Sequence, residues 1–285
     1  MTVHWIDLDT PPHLPALYAH AAIKRKITGD TLPESGLRCW LDIDPTTLEA
    51  FGTVCAISAS ALLPPTYPHV LAFGLQMQLL TRKDFPFPLL GLIHLSNHIR
   101  VLRPMGGVTH LRIGVYARNL QKHAKGATFD VITQVDDVIG PLWEAQSTLL
   151  CKGVELPGDV APDATNETLT TLNELTRWYA PANIGRQYAK VSGDYNPIHL
   201  STASAKLFGL PSAIAHGLWL EARALAVLSA HLPVANVEIS VAFKKPVRLP
   251  SEVILQTSEA GASGDFQLNG PGDLVHLTGH WRPLA

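Results

Sequence analysis

The segment from Leu218 to Ser229 constrains the fold most, because it is apolar around almost its whole circumference. A helix over this segment carries Leu, Trp, Ala and Val on nearly every face, and only Glu221, Arg223 and Ser229 interrupt the apolar surface. A helix that is apolar on all sides must be surrounded by other parts of the protein. We predict that this helix begins at Pro211 and reaches about His231.

The sequence after this helix supplies the structure that could surround it. Four strand-like stretches, separated by Gly, Pro and Ser, follow in order: Val237–Val247, Glu252–Glu259, Phe266–Leu268 and Leu274–Trp281. A curved antiparallel sheet around one buried helix satisfies both observations. Upstream we predict a helix over Thr176–Val191, a loop over Ser192–Leu200 and a short helix over Ser201–Phe208.

The N-terminal half repeats this order. Pro64–Phe73 can be laid over Pro211–Leu220, which places His69 on His216, and four strand-like stretches follow at Gly91–Leu102, Val108–Asn119, Thr128–Val138 and Trp143–Val154. A length of 285 residues fits about two domains of ~150 residues. We therefore predict a duplicated domain: an N-terminal copy at 1–155, a Pro/Gly-rich acidic linker at about 156–168, and a C-terminal copy at 169–285.

Composition excludes several classes of protein. The net charge is −2, and charged residues make up 16% of the chain, so no basic field for nucleic acid exists. The longest apolar segments are far shorter than the ~18 residues that a bilayer helix needs. Three widely spaced cysteines and an N-terminus without a signal-peptide pattern predict a reduced, cytoplasmic protein.

The chemistry is concentrated in the segment from Tyr188 to His199. Asp194 and His199 are five residues apart and would not share a face of a regular helix or strand. Between them, Pro197 fixes its own φ and keeps Asn196 extended, while Gly193 permits a tight entry. Such a loop can turn the carboxylate and the imidazole toward one cavity, where they would form an acid–base pair. The alternative is that these residues simply make a turn.

This segment resembles the signature of the MaoC-like (R)-specific enoyl-CoA hydratases and 3-hydroxyacyl thioester dehydratases. The similarity includes Gly193-Asp194, Asn196-Pro197 and His199, and it continues through Ala215-His216-Gly217 and Phe243–Val247. The resemblance implies an α+β fold, a double hot-dog, in which each half is a curved antiparallel sheet wrapped around a long central helix. The first half, which lacks the D-x-N-P-x-H string and has Val70 in place of Gly217, would be a degenerate copy without catalytic residues.

The resemblance also implies residue roles. Asp194 and His199 would hold the water that adds to C3 of a trans-2-enoyl thioester, giving an (R)-3-hydroxyacyl thioester, or that leaves in the reverse reaction. Which of the two is acid and which is base stays open. Gly217 would donate its backbone N–H to the thioester carbonyl oxygen at the start of the buried helix. Asn196, Pro197 and His216 would support the site.

The expected ligand is an acyl thioester of coenzyme A or of acyl carrier protein. Lys244, Lys245 and Arg248 could bind the phosphate of the carrier, or they could be an ordinary solvated strand edge. No cofactor and no metal are expected, since His94 and His98 lie on a strand-like segment without a third ligand. The sequence leaves the oligomeric state open, with a homodimer as one candidate.

Two other functions compete with a hydratase or dehydratase of fatty-acid metabolism. The first is a hot-dog acyl-CoA thioesterase, in which a carboxylate activates water against the thioester carbonyl. The second is a non-catalytic module that binds acyl-CoA or acyl carrier protein and needs no acid–base pair. The paired placement of Asp194 and His199 favours the hydratase, while acyl chain length, carrier and physiological direction stay open.

Overall fold

A computed structural model describes residues 3–24, 26–160, 171–259 and 261–284. The chain divides into two compact units, each drawn from three separate segments. The first unit contains Met1–Ile43, Leu71–Asn97 and Val108–Thr165, and the second contains Asp44–Val70, His98–Gly107 and Asn166–Ala285. The contiguous division expected near 156–168 stays a prediction, and residues 161–168 of that linker lie outside the described residues.

The first unit is built mainly of strands. They run in the order β1-β2-β4-β5-β6-β3, and the pairs from β2 through β6 are antiparallel, whereas β1 pairs parallel to β2. The elements are β1 (His4–Leu8), α1 (Leu14–Ile23), β2 (Ser35–Asp42), β3 (Ile93–Val101, of which 93–97 belong here), β4 (His110–His123), β5 (Gly126–Asp136) and β6 (Pro141–Lys152). The sheet is therefore mixed, which differs from the purely antiparallel sheet expected.

The second unit contains α2 (Pro45–Val54), and the helix α3 (Tyr67–Thr81) starts in it, since the division falls between Val70 and Leu71. Its other elements are β7 (Asn173–Ala180), α4 (Ile184–Ser192), α5 (Pro197–Leu200), α6 (Thr202–Lys206), α7 (Gly217–Val227), β8 (Val237–Phe243), β9 (Ser251–Thr257), β10 (Gly264–Asn269) and β11 (Val275–Pro283). The strand order β8-β11-β10-β9-β7 is antiparallel throughout. Short 3₁₀ helices occupy Leu228–Ala230 and Pro271–Asp273.

The expected burial of the apolar helix is confirmed. In α7, Trp219, Leu220 and Leu225 are at most 4% exposed. Glu221, which should have interrupted the apolar surface, is itself fully buried. The four strands predicted after the helix are present as β8, β9, β10 and β11, and those predicted in the N-terminal half are present as β3, β4, β5 and β6.

The predicted start of this helix at Pro211 is wrong. The residues before Gly217 are extended and pair with the segment around Arg248, where the Ala215 N–H donates to the Val247 carbonyl and the Leu249 N–H donates to the Ala213 carbonyl. Because their backbone groups are used in this pairing, they cannot also form helical hydrogen bonds. The repeat is correspondingly offset, since α3 begins two residues before His69 and α7 one residue after His216.

The predicted helix over Thr176–Val191 is also only partly right. Residues up to Ala180 form β7, which pairs antiparallel with β9, and the helix α4 begins at Ile184. Thr, Trp and Tyr favour the pleated backbone, and Pro181 ends the strand. The predicted loop over Ser192–Leu200 closes with the single turn α5, whereas the short helix expected after it is confirmed as α6, capped by the Ser201 hydroxyl.

N-terminal residues contribute to the second unit through α2. This helix begins after Asp44, whose carboxylate accepts the N–H groups of Thr46 and Thr47. Its Phe51 is fully buried, with its ring 5.3 Å from that of Tyr67 and 6.3 Å from that of Tyr188. The C-terminal end of α2 also receives the Trp219 indole N–H at the Val54 carbonyl, 3.0 Å away. Phe51 thus packs directly against α4, the helix that leads into the segment containing Asp194 and His199.

Among the described residues, no helix combines the length and the apolar character that would be needed to cross a membrane.

We predict that Phe51→Ala lowers the free energy of unfolding by about 3–5 kcal/mol, because it leaves a cavity between two buried tyrosines. Urea unfolding followed by fluorescence measures the change. Val138→Ala is the control, since that side chain is 85% exposed and should change stability by no more than about 0.5 kcal/mol. Equal small effects of both substitutions would contradict the described packing of α2.

Candidate active site

The candidate site begins where α4 ends. Gly193 caps this helix with a left-handed φ of 78°, and its N–H donates to the Ala189 carbonyl. The preceding Ser192 hydroxyl donates to the Tyr188 carbonyl and accepts the Asp194 N–H at 3.2 Å. Because glycine adopts this backbone without strain, the chain turns sharply here and carries Asp194 away from the helix axis.

Asn196 and Pro197 shape the rest of the loop as the sequence predicted. The Asn196 N–H donates to a carboxylate oxygen of Asp194 at 3.1 Å, and its own side-chain oxygen accepts the Ile198 N–H at 3.4 Å. Asn196 is therefore the N-cap of α5, and Pro197 is its first residue. These two residues orient the loop, and the turn of α5 brings a side-chain atom of His199 within 4.8 Å of the Asp194 carboxylate.

His199 is buried, with 8% of its surface exposed. Its Nδ1 lies 2.8 Å from the Ile214 carbonyl oxygen. Because a carbonyl can only accept, Nδ1 carries the proton, and Nε2 of the neutral ring is left with its lone pair. The Ile214 N–H in turn donates to the Ile198 carbonyl at 3.1 Å, which ties the loop to the segment before α7.

His216 packs against the other two site residues. Its ring stacks on that of His199 at 3.7 Å between centroids, and its Nε2 lies 3.0 Å from the backbone carbonyl oxygen of Asp194. The proton therefore sits on Nε2, and Nδ1 is buried without a hydrogen-bond partner among the described residues. The centroid of the Tyr188 ring lies 4.9 Å from that of His216. His216 therefore connects the loop that contains Asp194 to the start of α7.

Asp194, His199 and His216 each offer an atom within 4.8 Å of the others, so the two predicted acid–base residues do meet. Burial raises the pKa of the Asp194 carboxyl, against the opposing effects of His199 and the Asn196 N–H. Burial lowers the pKa of His199, against the opposing effect of the Asp194 charge. The two pKa values therefore move toward each other, which favours proton exchange between the two groups.

These three residues are also a set from which a metal ion could draw ligands. Carboxylate oxygen and imidazole nitrogen suit divalent transition metals. One nitrogen of each ring already donates to a backbone carbonyl, which leaves His199 Nε2 and His216 Nδ1 as the available donors. Because the two rings are stacked, their lone pairs do not readily point to one common centre.

Gly217 is the first residue of α7, where N–H groups have no acceptor inside the helix. A Cβ on Gly217 would lie 3.0 Å from the Phe243 ring, so the backbone packs closely here. Val70, its counterpart in the repeat, is instead the fourth residue of α3. His69 beside it is 3% exposed.

The three predicted phosphate-binding cations are exposed but differ in position. Arg248 pairs through its backbone with Ile214, the residue that receives the His199 N–H. Lys244 and Lys245 follow β8, and their backbone groups bond to His276. Arg248 is therefore the cation that the structure ties most directly to the acid–base pair.

Three contributions to the site were not predicted from the sequence. The Ile214 carbonyl is a backbone group, for which the sequence carries no signal, and the Ser192 hydroxyl bonds to the backbone of Tyr188 and Asp194. Gly185, inside α4, lies against the backbone of His199. A glycine within an otherwise helical stretch was the available signal for a close approach.

Comparison with known proteins identifies the family. The chain is 37% identical over 246 residues to the 3-hydroxyacyl-thioester dehydratase X of Mycobacterium tuberculosis, covering 86% of this chain and 87% of that protein. The chain belongs to the MaoC-like dehydratase family. The profile of the MaoC like domain matches residues 161–275, the part that contains Asp194, His199 and Gly217.

Solved structures of this family share the fold. The crystal structure of HtdX from Mycobacterium tuberculosis matches with a TM-score of 0.77 and 33% identity, covering 87% of this chain and all of that one. A MaoC-like dehydratase from Phytophthora capsici matches with a TM-score of 0.72 and 20% identity, covering 87% and 95%. The double hot-dog fold implied by the signature is confirmed for this MaoC-like protein.

We predict that His216→Gln flattens the loss of stability in mild acid. Burial lowers the pKa of His216 well below its ordinary value, so its contribution is complete above about pH 6.5 and declines as the pH falls. Each such ring accounts for up to ~1.4 kcal/mol per pH unit. Urea unfolding between pH 7.5 and 5 measures the slope. His13→Gln, which changes an exposed residue, is the control. An unchanged slope in His216→Gln would show that His216 does not contribute to the loss of stability in acid.

Proposed function

We propose that this MaoC-like protein catalyses the reversible addition of water to trans-2-enoyl thioesters, giving (R)-3-hydroxyacyl thioesters. The observation that carries the proposal is the meeting of Asp194 and His199 within 4.8 Å on one loop, next to the N-terminus of α7. Its relative of 37% identity is named a 3-hydroxyacyl-thioester dehydratase, which supports the same chemistry. The (R) configuration is part of the proposal.

In the hydration direction, water adds its oxygen to C3 and C2 gains a proton. The Asp194–His199 pair starts with one transferable proton. Its unprotonated member accepts a proton from the water as the C–O bond forms, and its protonated member gives a proton to C2. The number of protons on the pair is unchanged, and the passage of one proton between the two members restores the starting state. The convergent pKa values of the two groups favour this exchange. Both transfers come from one loop, so oxygen and hydrogen reach the same face of the double bond.

Negative charge develops on the thioester oxygen during this step, and we assign its stabilisation to the Gly217 N–H. The group lies at the positive end of the α7 dipole, directly after the buried His216. Asn196 and Pro197 shape the loop, and His216 supports it. The N-terminal copy, which lacks the acid–base pair, contributes packing rather than catalysis.

The proposed substrates are thioesters of coenzyme A or acyl carrier protein, whose phosphate would interact with Lys244, Lys245 and Arg248. The reaction as written needs no cofactor. A cytoplasmic location also belongs to the proposal, and the three cysteines, which are buried and unpaired, are compatible with it. A homodimer is the proposed assembly.

We predict that Asp194→Asn and His199→Ala each reduce kcat/KM by about 10²–10⁴-fold, because each removes one proton-transfer group. Loss of the enoyl absorbance of crotonyl-CoA measures hydration. In the same cuvette, release of free thiol would indicate a thioesterase, and neither change would indicate a binding module. Asp159→Asn and His13→Ala, both on exposed residues, are the matched controls. A folded Asp194 or His199 variant that keeps wild-type activity would contradict its role.

We predict that reversing the charge of Lys244, Lys245 and Arg248 together to Glu raises KM for crotonyl-CoA about 10-fold, because the phosphate contacts are lost. The kcat should stay within about twofold. Crotonyl-pantetheine, which lacks the phosphates, should show no such change. The control variant replaces Lys26, Lys83 and Lys125 by Glu, which makes the same change of charge at exposed positions elsewhere. Equal KM changes in the two triple variants would reject a specific phosphate site.

A further inference from the structure

We propose that Gly185 is a positioning residue for His199, because the absence of a side chain at this point of α4 sets the distance between the imidazole and Asp194. The inference rests on the proposed function, since it gives Gly185 a role in the same acid–base pair. Gly185 lies nine residues before Asp194, outside the segment from Tyr188 to His199 that carries the family signature.

The space at Gly185 is closed by the backbone of His199. A Cβ placed on Gly185 would lie 1.9 Å from the His199 carbonyl oxygen and 2.8 Å from its carbonyl carbon. Ordinary contacts between such atoms are about 3.5 Å or longer. The obstacle is main chain rather than a side chain that could rotate away. A methyl group therefore requires α4 and the His199 backbone to move apart by more than an ångström.

His199 has little freedom to move away from α4. Its Nδ1–H donates to the Ile214 carbonyl at 2.8 Å, and its ring stacks on that of His216 at 3.7 Å between centroids. One residue further along, the Arg186 guanidinium donates to the Leu200 carbonyl at 2.8 Å, which holds α4 and α5 together. A displacement of the His199 backbone would therefore also change the position of its imidazole ring.

Movement of α4 instead would have the same consequence. The helix ends at Ser192, and Asp194 follows directly after its Gly193 cap. The buried face of α4, which includes Ile184, Tyr188 and Ala189, fixes the helix against the unit. Because α4 carries Asp194 at its end and contacts His199 near its start, either adjustment changes the spacing of the acid–base pair.

This close approach distinguishes Gly185 from another helical glycine of the same unit. A Cβ on Gly52, in α2, would meet its nearest atom, the Ile57 carbonyl oxygen, at 3.8 Å. Gly52 therefore has room for a methyl group, and Gly52→Ala should be neutral or stabilising by the ordinary helix preference for alanine. The same substitution at Gly185 tests the packing against His199 rather than the loss of a helical glycine.

The experiment compares Gly185→Ala with Gly52→Ala in the full-length chain. With crotonyl-CoA, we expect Gly185→Ala to lower kcat about 10–100-fold while KM changes less than threefold, because displacement of reacting groups by about 1 Å has effects of this size. The pH profile of kcat should also shift, because a displaced His199 interacts differently with Asp194 and His216, the titratable groups that face it. Gly52→Ala should keep kcat within twofold. A folded Gly185→Ala protein with wild-type kcat and pH profile would overturn the proposal.

Two further measurements keep the test decisive. NMR titration of the His199 ring should show a displaced titration curve in Gly185→Ala but not in Gly52→Ala, and this readout needs no activity. If the wild type hydrates neither crotonyl-CoA nor a long-chain trans-2-enoyl-CoA, the proposed function fails while the NMR comparison still tests the positioning. If Gly185→Ala does not fold, Arg186→Ala replaces it, with an expected loss of kcat of about threefold. Unchanged kcat and ring titration in Arg186→Ala would then overturn the proposal.

Discussion

The candidate site depends on two backbone carbonyls that accept the N–H groups of buried imidazoles. The Ile214 carbonyl fixes the tautomer of His199, and the Asp194 carbonyl fixes that of His216. A buried polar group without a partner is costly, so these bonds allow two rings to stack away from water. They also leave Nε2 of His199 available for proton transfer. The rest of the site, from the α4 cap to the α5 turn, holds these groups in register.

The second unit is not simply the second half of the chain. The segment Asp44–Val70 belongs to it, and Phe51 packs between Tyr67 and Tyr188. Ring contacts then continue from Tyr188 to His216 and from His216 to His199. Residues from the N-terminal half thus contribute through packing to the part of the second unit that holds the candidate site.

Much of the fold follows from local patterns. The all-apolar segment of α7 demanded burial, and the alternation and turn signals located eight strands. The errors occurred where local preference and tertiary pairing compete. Thr176–Ala180 joins the sheet because β9 offers a partner strand, and the residues before Gly217 stay extended because the segment around Arg248 pairs with them. Neither partner is near in sequence, so periodicity could not reveal these choices.

The sequence by itself determined which residues carry the proposed chemistry. Asp194, Asn196, Pro197 and His199 are spaced so that a proline-fixed turn can bring an acid and a base together, and this information is local. Only the tertiary structure decided how they are held. The Ile214 carbonyl, the stacked His216 ring and the bare backbone of Gly185 act on His199 across contacts that join distant segments. Every residue has the same backbone carbonyl group, so the sequence does not show which carbonyl accepts the imidazole N–H. Only the position of that carbonyl in the folded chain decides it.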